Sequence, residues 1–148
     1  METITLYHGS ISANNFKTFR PSKHGYLGQG VYFTDTKEIA KKYALKYGYG
    51  QIIKASINFE ENEILKICSS DSVNSVLEFI YPNKNVYKQR KEKQANESYI
   101  IEKRDINKLI KKGIKIIEWK LPLSDDIEYL ILNKNDINII DREIVSNI

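Results

Sequence analysis

Apolar and polar residues change their rhythm several times along the chain, and each change marks an element. From Thr3 to His8 they alternate loosely among β-branched residues, which predicts a first strand. Residues 11 to 29 carry Pro21, Gly25 and Gly28 without a sustained period, so a loop is expected there, with a short helical turn at Ser12 to Phe16. Val31 to Thr34 predicts a second strand. After it Ile39, Ala40, Tyr43, Ala44 and Tyr47 recur at i, i+1, i+4, i+5 and i+8, one stripe of an α-helix. Asp35 stands at the start of that helix with Glu38 three residues on, the pattern of a reciprocal N-terminal cap. Gly48 and Gly50 are its stop signal.

Gln51 to Asn58 and Ile64 to Cys68 predict two further strands. The period then becomes helical: Val73, Val76, Leu77 and Ile80 share a face, Pro82 ends the run, and Asn85 to Lys112 mixes charge and apolar positions like one or two more helices. Strand patterns return at Ile114 to Trp119, Ile127 to Asn133 and Ile137 to Asp141. Strand-rich ends around a helical middle place the chain in the α+β class, with an antiparallel or mixed sheet.

Composition narrows this further. A chain of 148 residues suits one domain, spanning 1–148, and 41% apolar with 28% charged residues is a globular balance. Its single cysteine, Cys68, excludes an internal disulfide and a thiolate metal cluster. Cys68 is expected to be a small buried residue. The start carries no signal-peptide pattern, and no apolar run approaches the ~18 residues of a membrane span. A soluble chain beginning near Met1 and working in the cytoplasm, of its own or a host cell, is the expectation. The net charge of +4 is mild. Its densest stretch, Lys84 to Lys93, is either a solvated helix face or a contact for phosphates.

Candidate chemistry sits at the two ends. His8 is one of two histidines and precedes Gly9 and Ser10; Tyr32 follows Gly28-Gln29-Gly30; Glu128 lies among apolar neighbours. Singly, each has a structural explanation: a hydrogen-bonding His at a strand end, a core Tyr, a tight turn, a solvent-facing Glu on an edge strand.

Jointly, in this order, they resemble the ADP-ribosyltransferase superfamily, in its His-Tyr-Glu branch of diphtheria-toxin and poly(ADP-ribose)-polymerase type. The matching segments are Tyr7-His8-Gly9-Ser10, then Gly28 to Asp35 with a second tyrosine, Tyr43, eleven positions after Tyr32, then Ile127-Glu128-Tyr129 followed by a turn and a last strand. Gly50 to Ala55 also falls where that family places its next strand. The resemblance covers both ends and skips roughly residues 66 to 110. It implies a split β-sheet core with a helical insertion at roughly 69–112.

The resemblance also implies a reaction: cleavage of the nicotinamide–ribose bond of NAD+ and transfer of ADP-ribose to an acceptor. The ribose carbon gains oxocarbenium character as nicotinamide leaves, as in glycoside hydrolysis. Glu128 is the implied catalytic carboxylate, with His8 and Tyr32 beside it. His8, Gly9, Ser10, Tyr32 and Tyr43 are the implied NAD+-binding residues: the tyrosines grip nicotinamide, His8 donates to a ribose hydroxyl, Gly9 lets the backbone approach the carboxamide, and Ser10 adds a hydroxyl. No metal is implied.

Ala40 and Ile39 stand where the polymerases carry a carboxamide-binding serine and a lysine, which favours transfer of a single ADP-ribose. Asp126 stands where arginine-modifying relatives carry a second glutamate. Glu118 to Asp126, with Trp119, is expected to form the acceptor-recognising loop. The expected partner besides NAD+ is a macromolecular acceptor, a protein first and nucleic acid second, for an enzyme acting as a toxin, effector or phage-type modifier; no membrane is expected. An NAD+ glycohydrolase and an inactive or basic nucleic-acid-binding module are the alternatives.

Overall fold

The structure is a computed structural model that describes residues 1–14, 16, 18–25, 27–68, 72–83, 85, 88, 101–120, 124 and 126–147, with 23–25 as backbone alone. Eight strands make one mixed sheet among these residues: β1 (Glu2–Ser10), β2 (Ser22–Gly25), β3 (Gly28–Thr34), β4 (Tyr49–Phe59), β5 (Ile64–Ile67), β6 (Ile116–Lys120), β7 (Ile127–Ile131) and β8 (Asn138–Ser146). The order is β5-β6-β7-β3-β1-β4-β8, with β2 hairpinned onto β3. The helices are α1 (Lys37–Ala44), α2 (Ser72–Ile80) and α3 (Lys103–Lys111).

The sheet is split. β1 pairs with β4 over nine successive residues, yet meets β3 at one pair, Tyr7 with Thr34. The β1-β4-β8 half and the β3-β7-β6 half fold over one core, in which Leu6, Ile53 and Ile57 of the first meet Val31, Phe33, Ile116 and Ile131 of the second. Each half has its own helical cover. α1 lays Ala40 and Ala44 on Ile52 and Val145. On the other half α2 and α3 pack Val76, Leu77 and Leu109 against Ile117, Trp119 and Leu130.

The helical middle has a topological reason. β5 and β6 are the parallel pair of the sheet, and parallel neighbours need a long crossover, which the α2–α3 segment supplies. α2 stops at Ile80, two residues before Pro82 as expected. Tyr81 then donates its hydroxyl to buried Asp105 of α3, whose other oxygen accepts from the Glu102 amide at 2.9 Å. Of the stretch Asn85 to Lys112 only α3 is described over its length. The basic run Lys84 to Lys93 falls outside the described residues, apart from Asn85 and Lys88.

Several expectations are corrected. The helix cap is Thr36 rather than Asp35, and its side chain makes no cap bond; Asp35 is exposed in the turn before it. α1 ends at Ala44, so Tyr47 lies beyond it, 72% exposed, while Gly48 takes a left-handed φ of +86°. No helical turn forms at the described residues between Ser12 and Phe16, and a strand, β2, occupies part of the expected loop. β8 runs on to Ser146, because an edge strand held by pairing to β4 needs little apolar patterning of its own. Cys68 follows β5 and is exposed; its neighbour Ile67 is the one that points inward.

Candidate active site

The two halves part just beyond their single backbone pair, and a side chain bridges the gap. The His8 imidazole reaches across so that Nδ1 lies 2.7 Å from the Tyr32 carbonyl oxygen. A carbonyl can only accept, so Nδ1 carries the hydrogen. Burial lowers the His8 pKa, outweighing the rise that this hydrogen bond gives, and the ring is neutral at pH 7. Nε2 is therefore an acceptor. In this tautomer Nε2 accepts rather than donates, so the expected His8 contact to a ribose hydroxyl would run with the hydroxyl as donor.

Glu128 faces the same gap. β7 lies between β6 and β3, not at an edge, and Glu128 is paired with Trp119 on one side and Thr34 on the other. Thr34 pairs in turn with Tyr7, so Trp119, Glu128, Thr34 and Tyr7 form one row across the split. All four line a cavity of about 260 Å³, and His8, Gly9, Tyr32, Phe33 and Tyr43 complete its wall.

The two tyrosines enter it from different elements. Tyr32, on β3, has its hydroxyl committed on both sides: it donates to the Gly28 carbonyl at 2.6 Å and accepts from the Leu27 amide at 3.0 Å. Burial also pushes its pKa up. It offers the cavity a ring, edge-to-face with Trp119 at 5.8 Å, and no mobile proton. Tyr43, on α1, is half exposed and donates its hydroxyl to Glu128 Oε1 at 3.1 Å.

Glu128 is 7% exposed. Burial raises its pKa to about 7; the Tyr43 hydrogen bond opposes the rise, and the negative charges of Asp126 and Asp35 add to it. A carboxyl poised near neutrality in an aromatic cleft is what acid–base and charge-stabilising chemistry requires.

Gly9 lines the cavity by its backbone, but its missing side chain answers to a different neighbour. A Cβ there would lie 2.0 Å from the Ala40 carbonyl oxygen and 2.9 Å from Tyr43 Cβ. Glycine lets β1 touch α1, which brings Tyr43 to Glu128. Ser10 does not line this cavity. It lines a second one of about 410 Å³ with Ser12, Asn14, Phe16 and Arg20, and His8 lines both. Together the two fall within the range of about 300–1,000 Å³ common for small-molecule sites.

Trp119 belongs to β6 and to the cavity wall rather than to an acceptor loop, since strand pairing with β7 continues through Lys120. Of the rest of that expected loop, 121–123 and 125 fall outside the described residues. Tyr7, Phe33 and Thr34 lie inside the motifs read from the sequence but were given no role there, and the place of Trp119 beside Glu128 comes from strand register. Ala40 lies on the buried face of α1, against Ile52 and Val145. Among the described residues no three His, Cys, Asp or Glu side chains are grouped to hold a metal, and no helix is long and apolar enough to cross a membrane.

A sheet split between β1 and β3, with helices covering both halves and a cleft at the division, is an ADP-ribosyltransferase-like fold. Residues 2–145 match the family described as ADP-ribosyltransferase in polyvalent proteins, and the chain belongs to that family. Such transferases use NAD+ as co-substrate and transfer to a macromolecular acceptor. Comparison with curated proteins gives no match.

Proposed function

We propose that this chain is a mono-ADP-ribosyltransferase of the His-Tyr-Glu type, acting on a macromolecule in its own or a host cell as a toxin, effector or phage-type modifier. The observation that carries the reading is the buried Glu128, bonded to Tyr43, in one aromatic cavity with His8 and Tyr32.

In this reading the bond between the ribose C1′ and the nicotinamide nitrogen breaks, and its electron pair leaves with nicotinamide, which becomes neutral. The acceptor's nucleophile forms the new bond to C1′, and its proton passes to the Glu128 carboxylate or to water. Glu128 stabilises the positive charge that develops on the ribose. A preorganised charge of this kind acts more strongly on the transition state than on the ground state. The cationic nicotinamide ring favours the carboxylate form of Glu128 and rests against the faces of Tyr32 and Tyr43. Nε2 of His8 accepts from a ribose hydroxyl, and the second cavity takes the ADP half, with Ser10 and Arg20 in its wall.

The absence of a serine at Ala40 supports transfer of a single unit, and a protein is the first acceptor to seek. The test is incubation with labelled NAD+ and cell lysate. Wild-type protein should label a macromolecule with one ADP-ribose per site by mass spectrometry, and Glu128→Gln should not. Free ADP-ribose released at full rate without lysate would instead mark a glycohydrolase, and equal labelling by the variant would refute the role of Glu128.

A further inference from the structure

We propose that Gln51 and Arg142 are positioning residues that hold Ser12, Asn14 and Phe16 in place for the ADP half of the dinucleotide, and so set the affinity for NAD+ without touching it. The inference rests on the transferase reading above. Ser12, Asn14 and Phe16 line the second cavity and belong to no helix or strand. Locally the Ser12 amide donates to Ser10 Oγ at 3.2 Å and the Asn14 amide to Ser12 Oγ at 3.3 Å, two long bonds of which the first is part-buried and the second exposed.

The firmer hold comes from β4 and β8, distant in sequence. Gln51 is fully buried, and its Nε2 donates to the Ser12 carbonyl at 2.7 Å and to the Asn14 carbonyl at 2.9 Å. Buried polar groups cost stability unless bonded, so an amide in this place is tied to the segment it binds. Its Oε1 accepts from Arg142 Nη1 at 3.4 Å, while Arg142 Nη2 donates to the Phe16 carbonyl. The guanidinium also lies over the Phe16 ring, 4.5 Å from its centroid. Phe16 packs edge-on to Phe19, and Phe19 edge-on to His8, each at 5.2 Å. Neither Gln51 nor Arg142 lines a described cavity. A preformed loop spares the ligand the entropy of ordering it, and losing that shape weakens binding rather than chemistry.

The test measures kcat and KM for NAD+, together with inhibition by ADP-ribose and by nicotinamide, in wild type, Arg142→Ala and Arg142→Lys. The alanine variant should raise KM and weaken ADP-ribose about tenfold, leaving nicotinamide inhibition and kcat within about threefold. Lysine, with the charge but no fork to bridge Gln51 and Phe16, should fall between. Hydrogen exchange at Ser12, Asn14 and Phe16 should quicken in both variants, with β7 unchanged. A purely structural loss would lower the active fraction, hence kcat, and leave KM alone. Unchanged KM and ADP-ribose inhibition, or parallel loss of nicotinamide binding, would overturn the proposal while the transferase reading stands. A wild-type protein that neither turns over NAD+ nor binds ADP-ribose would overturn both. If the alanine variant fails to fold, the lysine variant decides by the same measurements.

Discussion

Tyr43 of α1 donates a hydrogen bond to Glu128 of β7 across 3.1 Å, although 85 positions separate them. The bond crosses the split in the sheet and is the direct polar link between the covering helix and the buried carboxylate. It exists because Gly9 lets α1 settle against β1.

Replacing Glu128 with Gln keeps the shape and removes the charge. NAD+ turnover and labelling should fall roughly 10²- to 10³-fold, the usual cost of deleting a preorganised charge-stabilising group. Single-turnover kinetics on folded protein measures it, and a drop below tenfold would remove Glu128 from the chemistry.

Tyr43→Phe keeps the ring and deletes the hydrogen bond that holds the Glu128 pKa down. The pKa should rise, moving the ascending limb of the rate profile about one pH unit to the alkaline side. The rate at neutrality should therefore fall and recover at higher pH. A uniform loss at all pH values would contradict this.

The ionisations of Glu128 and His8 shape stability, with opposite signs. Glu128 titrates at about 7 when folded against 4.5 unfolded, so the folded chain holds the extra proton between those values and stability falls as pH rises through that window. His8 is lowered from 6.5 when folded, so below 6.5 the unfolded chain holds the extra proton, and stability rises with pH up to that value. In Glu128→Gln only the His8 rise remains. Its melting temperature should climb towards pH 6.5 and then hold, with its largest advantage over wild type above pH 7. Parallel Tm–pH curves for the two proteins would refute this.

Gly9→Ala would set a methyl group 2.0 Å from the Ala40 carbonyl oxygen. Backbone cannot yield as a flexible side chain can, so α1 must shift, at about 1–3 kcal/mol or more. Thermal melting should show the loss, and activity should fall further than the folded fraction because Tyr43 moves with α1.

Much of the fold was legible along the chain because strand and helix periods are local properties. β1, β3, β4 and α2 were visible in the alternation and stripes of Thr3–His8, Val31–Thr34, Gln51–Asn58 and Val73–Ile80. β2 was not, because Ser-Lys-His-Gly has no apolar rhythm and becomes a strand only by hairpinning onto β3. The Asp35 cap was misplaced by one residue, a boundary that local signals rarely resolve.

The residue types of the site, a lone early histidine, two tyrosines and a late glutamate, and their order were determined by the sequence itself. Tertiary structure decided what those groups can do. Register within the β3-β7-β6 half set Trp119 and Thr34 beside Glu128, burial raised one pKa and lowered another, and the Tyr32 carbonyl chose which nitrogen of His8 stays free. Such properties depend on distances between chain segments far apart in sequence and on exclusion of water, which no stretch of residues encodes alone.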